Sequence, residues 1–258
     1  FNYAETLGNF TFFDDNGTPL NLLDDETVKR RNNGFRSFNL NTKGEALLGG
    51  WQFTLSNDVY TKDQGVPGQG SNQSDNARLQ TWRDVALLRL EKKGAPWPTT
   101  DVAFQLAYTL NREHFADLKG EIGIGAQDVR NNTDTYTANG LFTWYLEPWK
   151  QTLGVLLEGS YETFRSVDFL PELRGQAARR GPFQQRTHFI AAFQDEIRLF
   201  QDKLSLRPLL RYQLVASDFG ADATFGVIRL NTARDTQEHL CNPRRGAKYT
   251  LTCWPDLT

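Results

Sequence analysis

QTLGVLLEGSYETFRSVDFLPELRGQAARRGPFQQRTHFIAAFQDEIRLFQDKLSLRPLLRYQLVASDFG, residues 151–220, holds three runs in which apolar and polar residues alternate. They are residues 152–165, 187–199 and 204–218. A long polar loop separates the first two, and only Phe200-Gln201-Asp202-Lys203 separates the last two. In the third run Leu204, Leu206, Pro208, Leu210, Tyr212 and Leu214 share one parity. Ser205, Arg207, Arg211, Gln213 and Ser217 share the other, with Leu209 and Val215 among them. A strand sends successive side chains to opposite faces, so the pattern predicts a sheet with one apolar and one polar face. The runs are far longer than ordinary strands of about 5–6 residues. They fit tilted strands that cross a bilayer, for which about 9–11 residues suffice, and continue beyond it.

The same signal recurs outward from this stretch. Phe38, Leu40, Thr42, Gly44 and Ala46 alternate with Asn39, Asn41, Lys43 and Glu45. After Leu48-Gly49-Gly50 come Trp51, Phe53, Leu55 and Val59, interleaved with Gln52, Thr54, Ser56 and Asp58. Residues 79–92, the run from Val102 to Leu110 and the run from Tyr136 to Leu146 continue it. Residues 1–13 read as one aromatic-rich strand, ended by the turn Asp14-Asp15-Asn16-Gly17-Thr18-Pro19. Residues 224–231 form a weaker candidate strand. About nine or ten antiparallel strands are expected, connected as a meander.

Connection lengths alternate. Short ones lie near Leu48, Pro96, Pro148 and Asp202. Long ones are expected at residues 15–34, 62–78, 112–132, 169–185 and 221–258. A soluble sandwich gives no reason for this segregation, whereas an outer-membrane barrel has short periplasmic turns and long outside loops. Trp51, Trp97, Trp144 and Trp149 lie beside short turns, as an interfacial aromatic girdle would. Tyr60, Trp82, Tyr108, Tyr161 and Phe164 are candidates for the opposite girdle. Asp84 and Asp195 share parity with the apolar set and are the exceptions. The expected fold is therefore all-β: an antiparallel meander of long strands forming part of a transmembrane β-barrel, over residues 1–258.

Composition bounds the function. The net charge of −2 argues against nucleic-acid binding through a basic field. Mean hydropathy is −0.55, and no apolar run approaches the ~20 residues of a membrane helix. An alternating barrel wall also has a low mean, so this does not exclude a membrane. The chain begins at Phe1 and contains no methionine, which reads as a mature or truncated chain.

Residues 9–19, Asn-Phe-Thr-Phe-Phe-Asp-Asp-Asn-Gly-Thr-Pro, with Asp24-Asp25 and Arg30-Arg31-Asn32-Asn33, resemble an early outer loop of TonB-dependent outer-membrane receptors. Residues 193–208 and Arg211-Tyr212 resemble a strand–turn–strand of the same family. The resemblance implies a large barrel with an N-terminal plug in the bacterial outer membrane. It implies energised import of ferric siderophores, haem, cobalamin or glycans. Its partners would be outer-membrane lipid and lipopolysaccharide, a small-molecule ligand, and a TonB-type energy-coupling protein engaged through an N-terminal region. The chain would be roughly the first half of such a barrel, without plug or C-terminal strands. A passive porin-like barrel and a structural barrel subunit of an outer-membrane assembly are the alternatives.

No catalytic signature is present, and neither an enzyme nor a cofactor is expected. His114, His188 and His239 lack metal-ligand spacing. Pairing His188 with Ser160 is the one conceivable hydrolytic arrangement. Residues 120–125, Gly-Glu-Ile-Gly-Ile-Gly, read as a loop or bulge rather than a nucleotide motif. Asp14, Asn16, Asp24 and Asp25 offer oxygen ligands for calcium without EF-hand spacing; a solvated turn is the alternative. Cys241 and Cys253 are the only cysteines, and an oxidising compartment favours a disulfide over two free thiols. Arg165, Arg174, Arg179, Arg180 and Arg186 cluster around one long loop. Guanidinium groups suit carboxylate and phosphate, so this loop is the candidate ligand-binding site. Contact with anionic headgroups, or plain solvation, are the competing roles.

Overall fold

Ten strands follow one another across a single antiparallel sheet, each hydrogen-bonded to the next in the path. The computed structural model describes residues 1–18, 20–69, 72–199, 204–218 and 220–226. In chain order the strands are β1 (Asn2–Thr6), β2 (Thr11–Asp14), β3 (Glu26–Lys29), β4 (Phe35–Leu48) and β5 (Trp51–Gly65). Next come β6 (Gly68–Gln69), β7 (Asn72–Gln73), β8 (Arg78–Lys92), β9 (Thr100–Asp117) and β10 (Gln127–Leu146). Then follow β11 (Gln151–Asp168), β12 (Arg179–Arg180), β13 (Gln184–Leu199), β14 (Leu204–Leu206), β15 (Leu209–Ser217) and β16 (Gly220–Gly226). The path is β1-β4-β5-β8-β9-β10-β11-β13-β15-β16, with β12 beside β11 and β14 beside β13. Among the described residues β1 and β16 end the path and no ladder joins them. No helix among these residues is long and apolar enough to cross a membrane.

The all-β meander expected from the alternation is present. Register places the two parities on opposite faces along the whole sheet. One row across it reads Gly44, Leu55, Leu88, Leu106, Ala138, Gly159, Phe189 and Leu214. Its neighbour reads Ala46, Phe53, Leu90, Phe104, Gly140, Leu157, Ala191 and Tyr212. These rows are the apolar face, and nothing in the described chain covers it. Leu55 is 61% exposed, Leu106 55%, Tyr136 52% and Leu210 51%. On the opposite, polar face Ile190 and Ala192 are only 6% and 7% exposed. Few other apolar side chains are buried, so the sheet is a single layer without an enclosed core. Aromatic packing on the exposed face is lateral: Phe104 meets Phe142 edge-on at 5.5 Å, and Phe142 stacks with Trp144 at 6.1 Å.

The polar face is tied by cross-strand ion pairs. Arg83 lies 3.6 Å from Asp58 and Arg207 lies 3.3 Å from Glu196; on the same face Arg89 bonds Glu91 within one strand, β8. Asp84 lies on the apolar face, as its parity implied, and accepts a bond from Asn57 Nδ2 at 2.6 Å. Asp195 is there too, opposite Pro208. Its backbone N–H donates to the Pro208 carbonyl at 3.1 Å, but proline has no N–H to return. The ladder therefore breaks between β14 and β15, although both pair with β13 in one continuous register.

Short connections occupy one end of the sheet, at residues 49–50, 93–99 and 147–150. Gly49 and Gly50 both take positive φ, +59° and +77°, as a two-residue hairpin turn requires. Trp51, Trp97, Trp144 and Trp149 all sit at this end, on or beside these turns. The Phe200–Lys203 turn lies outside the described residues.

Several sequence expectations need correction. Residues 1–13 are not one strand: β1 stops at Thr6, and β2 pairs with β3 as a separate hairpin inside the first long connection. The second long connection shrinks to residues 66–77, because β5 continues to Gly65. The largest correction concerns residues 112–132. Most of them form the outer arms of the β9–β10 hairpin, and only 118–126 connect the two strands. Beyond Ser217 the chain does not enter a long loop at once. β16 starts at Gly220 and pairs antiparallel with β15, so the short–long alternation fails there. Of the second-girdle candidates, Trp82, Tyr108 and Tyr161 lie on the apolar face. Tyr60 and Phe164 face the other way, with the Arg83 guanidinium 5.6 Å over the Tyr60 ring.

Candidate functional site

Above the apolar band, towards the long connections, the same face turns polar and basic. Arg112 lies opposite Asn132 in the β9–β10 register and reaches along the ladder to Asp134. Its Nη2 donates to both carboxylate oxygens at 2.9 Å, and its Nη1 donates to the Thr133 carbonyl at 2.9 Å. Tyr108 O–H donates to the same carboxylate at 2.7 Å, with its ring 4.9 Å from that of Tyr136. One row higher His114 Nε2 sits 2.6 Å from Asp128 Oδ1. Opposite His114, the Arg130 guanidinium lies 4.9 Å over the Phe169 ring. On the next strand Arg165, opposite Asn132, stacks 5.5 Å over Phe183, and its Nε is buried without a hydrogen-bond partner among the described residues.

Arg112, Arg130 and Arg165 thus converge on one face of β9, β10 and β11. Strands spaced about 4.8 Å apart put Arg112 and Arg165 about 10 Å apart at the backbone. Among the described residues only Arg112 of the three is in an ion pair, so the group carries excess positive charge. A groove of about 690 Å³ runs along this level of the face, lined by Arg36, Trp82, Arg112, His114, Arg130 and Asn132 among others. A guanidinium fork suits a phosphate or carboxylate, and a phenyl ring beneath it fixes its plane.

The five arginines singled out from the sequence are not brought together. Arg165 joins the group just described. Arg186 projects from the polar face and is held by Glu162 at 2.9 Å. Arg179 lies 3.4 Å from Asp168. Arg174, on the 3-10 turn Leu170–Arg174, and Arg180, on β12, are exposed and have no ion-pair partner among the described residues. Arg112 and Arg130 were missed because residues 112–132 read as a connection. Their signal was parity: Tyr108, Leu110, Arg112 and His114 continue the apolar set of β9 without interruption.

The first three long connections are knitted together. Arg31 lies 3.0 Å from Asp75, and Asn32 Nδ2 donates to Ser74 Oγ at 2.8 Å and to the Ala77 carbonyl at 2.7 Å. Glu121 accepts from the Asp75 and Asn76 backbone N–H groups at 2.9 and 2.7 Å, and from Asn76 Nδ2 at 2.7 Å. The Asn76 side-chain bond, then its backbone bond, hold the Glu121 carboxyl below its ordinary range. Buried Asp117 anchors the loop by accepting from the Glu121 and Ile122 N–H groups at 2.9 and 2.8 Å. Residues 120–125 are indeed loop.

Around Asp14 the oxygens are engaged locally: Asp14 accepts from the Asn16 N–H and Asp24 from the Thr18 hydroxyl. No group of three metal-ligating acids, cysteines or histidines exists among the described residues. Ser160 and His188 are register partners on the polar face, but His188 Nε2 is buried with no hydrogen-bond partner among the described residues. Cys241 and Cys253 lie outside the described residues. Searches of family models and of curated proteins return no match to this chain.

Proposed function

We propose that this chain is part of the wall of an outer-membrane β-barrel whose work is transport. The observation that carries the reading is the uncovered apolar face. Ordering each residue costs about 1–2 kcal/mol of backbone entropy, which a soluble domain offsets by burying apolar side chains. This sheet instead presents Leu55, Leu106, Leu157, Phe189 and Leu210 outward across seven strands. Exposed apolar surface of this extent marks an interaction surface, and lipid is the partner that suits an apolar band running across so many strands. The polar face, with its cross-strand ion pairs, then lines the lumen. The short turns face the periplasm and the knitted loops face outward.

Within that reading, TonB-energised import of a scarce nutrient is the specific activity, resting on the resemblance of residues 9–33 and 193–212. The exposed arginines Arg174 and Arg180 would meet an anionic ligand first. The test has two stages. Membranes of cells expressing the complete gene are extracted with alkaline carbonate; release of the protein as a soluble monomer ends the reading. Uptake of labelled ferric siderophore, haem, cobalamin and glycan is then measured with and without the proton-motive force. Uptake of one of them that stops when the force is collapsed supports import. Uptake that persists assigns a passive barrel, and a membrane-embedded chain that moves no solute assigns a structural subunit.

A further inference from the structure

Resting on the membrane-wall reading above, we propose that Arg112, Arg130 and Arg165 form a site for the headgroup phosphates of net-anionic membrane lipid in the leaflet on the long-loop side. Position is the first argument. All three lie on the apolar face, not the polar one, above the aromatic row Tyr108, Tyr136 and Tyr161: the row Leu110, Asp134 and Thr163 intervenes, Arg112 and Arg165 share the row beyond it, and Arg130 lies one row further. Trp82 shares the row of Arg112 and is 52% exposed. Aromatic rings mark the boundary between hydrocarbon and headgroup, so the rows beyond them face headgroups. A lumenal ligand would meet the other face.

Chemistry is the second argument. Asp134 neutralises Arg112 and orients its fork, while among the described residues Arg130 and Arg165 have ring partners, Phe169 and Phe183, and no carboxylate. Both rings come from the 169–183 connection, which therefore holds two guanidinium planes against the sheet without consuming their charge. Exposed Arg36 extends the basic level along the groove, while His114 and Asp128 on the same face are engaged with each other. Asp63 is the acidic side chain in that lining, and Arg78 holds it at 2.7 Å.

The test uses the full chain in nanodiscs of phosphatidylcholine mixed with a minor fraction of phosphatidylglycerol. Retained lipid is counted by native mass spectrometry after detergent exchange. Attraction of about 1 kcal/mol per arginine near an anionic surface corresponds to roughly fivefold in retention. The Arg130→Gln, Arg165→Gln double variant should therefore lower preferential retention of phosphatidylglycerol roughly 25-fold. Among the described residues these two arginines have no ion-pair partner, and the variant spares the Arg112–Asp134 bond. Arg89→Gln on the polar face should leave retention unchanged. Equal retention of both lipids by the unaltered protein, or an unchanged double variant, overturns the proposal while leaving the barrel reading intact. Displacement of the lipid by millimolar inorganic phosphate also overturns it, in favour of a soluble-anion site. Failure of the unaltered chain to enter nanodiscs overturns the barrel reading itself.

Discussion

Arg112 grips Asp134 through two bonds of 2.9 Å from a single nitrogen, diagonally across the β9–β10 ladder. The pair is about three-quarters shielded, with side-chain exposures of 25% and 23%. Arg112→Ala leaves Asp134 only the Tyr108 hydroxyl. The loss should be about 1.5–3 kcal/mol, the range for a hydrogen bond to a charged group. Urea titration of the refolded protein measures it. Asp134→Asn with Arg112→Gln together should cost less than the two single changes summed; strict additivity would mean the residues do not interact.

Leu106 and Gln105 are sequence neighbours on opposite faces of β9. If lipid covers the apolar face, Leu106→Arg should cost about 2–4 kcal/mol in folding from urea into liposomes, and Gln105→Arg much less. A sheet whose apolar face meets water would tolerate both changes alike, and that result would end the membrane assignment.

Glu121 makes the joint between two loops depend on pH. Its carboxyl is depressed in the folded state, so its contribution is present above the ordinary carboxylate range and is lost as pH falls through the lowered value. Amide protection factors of Asp75 and Asn76 should be high at neutral pH and fall in acid. Glu121→Gln should show the reduced protection at both pH values. Protection that is insensitive to acid in the unaltered protein contradicts the assignment.

Gly65 is buried against Asn32. A Cβ at this position would sit 2.3 Å from the Asn32 carbonyl oxygen and 2.1 Å from its Oδ1. Gly65→Ala must push the first long connection away and strain the bonds Asn32 makes to Ser74 and Ala77. Overpacking of this kind costs about 1–3 kcal/mol. Limited proteolysis should cut residues 66–77 sooner in the variant, while the thermal melt of the main sheet shifts little.

The sheet was legible in the sequence wherever period-two alternation coincided with a change in polarity. Phe38, Trp51, Val102 and Leu153 open runs whose apolar parity holds across every ladder. It failed where strands outlast their apolar band. Arg112, Glu113, His114, Asn131 and Asn132 are polar on both parities, and a hairpin arm held by ion pairs has the composition of a loop. It failed again at residues 1–13, where aromatic residues continue although the chain leaves the sheet after Thr6. The arginine site was half legible. Charge density pointed to Arg165 and its neighbours, but Arg165 and Arg186 sit on strands whose register sends them to opposite faces. Long-range pairing decides that, and local sequence does not carry it.

The length of β10 sets a distance scale. Its 20 residues at about 3.4 Å each span about 68 Å, and a tilt of 45° leaves about 48 Å along a bilayer normal. A hydrocarbon core of about 30 Å uses less than two-thirds of that. On the proposed reading the wall stands well clear of the bilayer as a rigid parapet, and the 118–126 loop sits on its crest. A macromolecule approaching from outside would then be stopped by hydrogen-bonded sheet before it reached the membrane plane, while a small solute would enter over the rim.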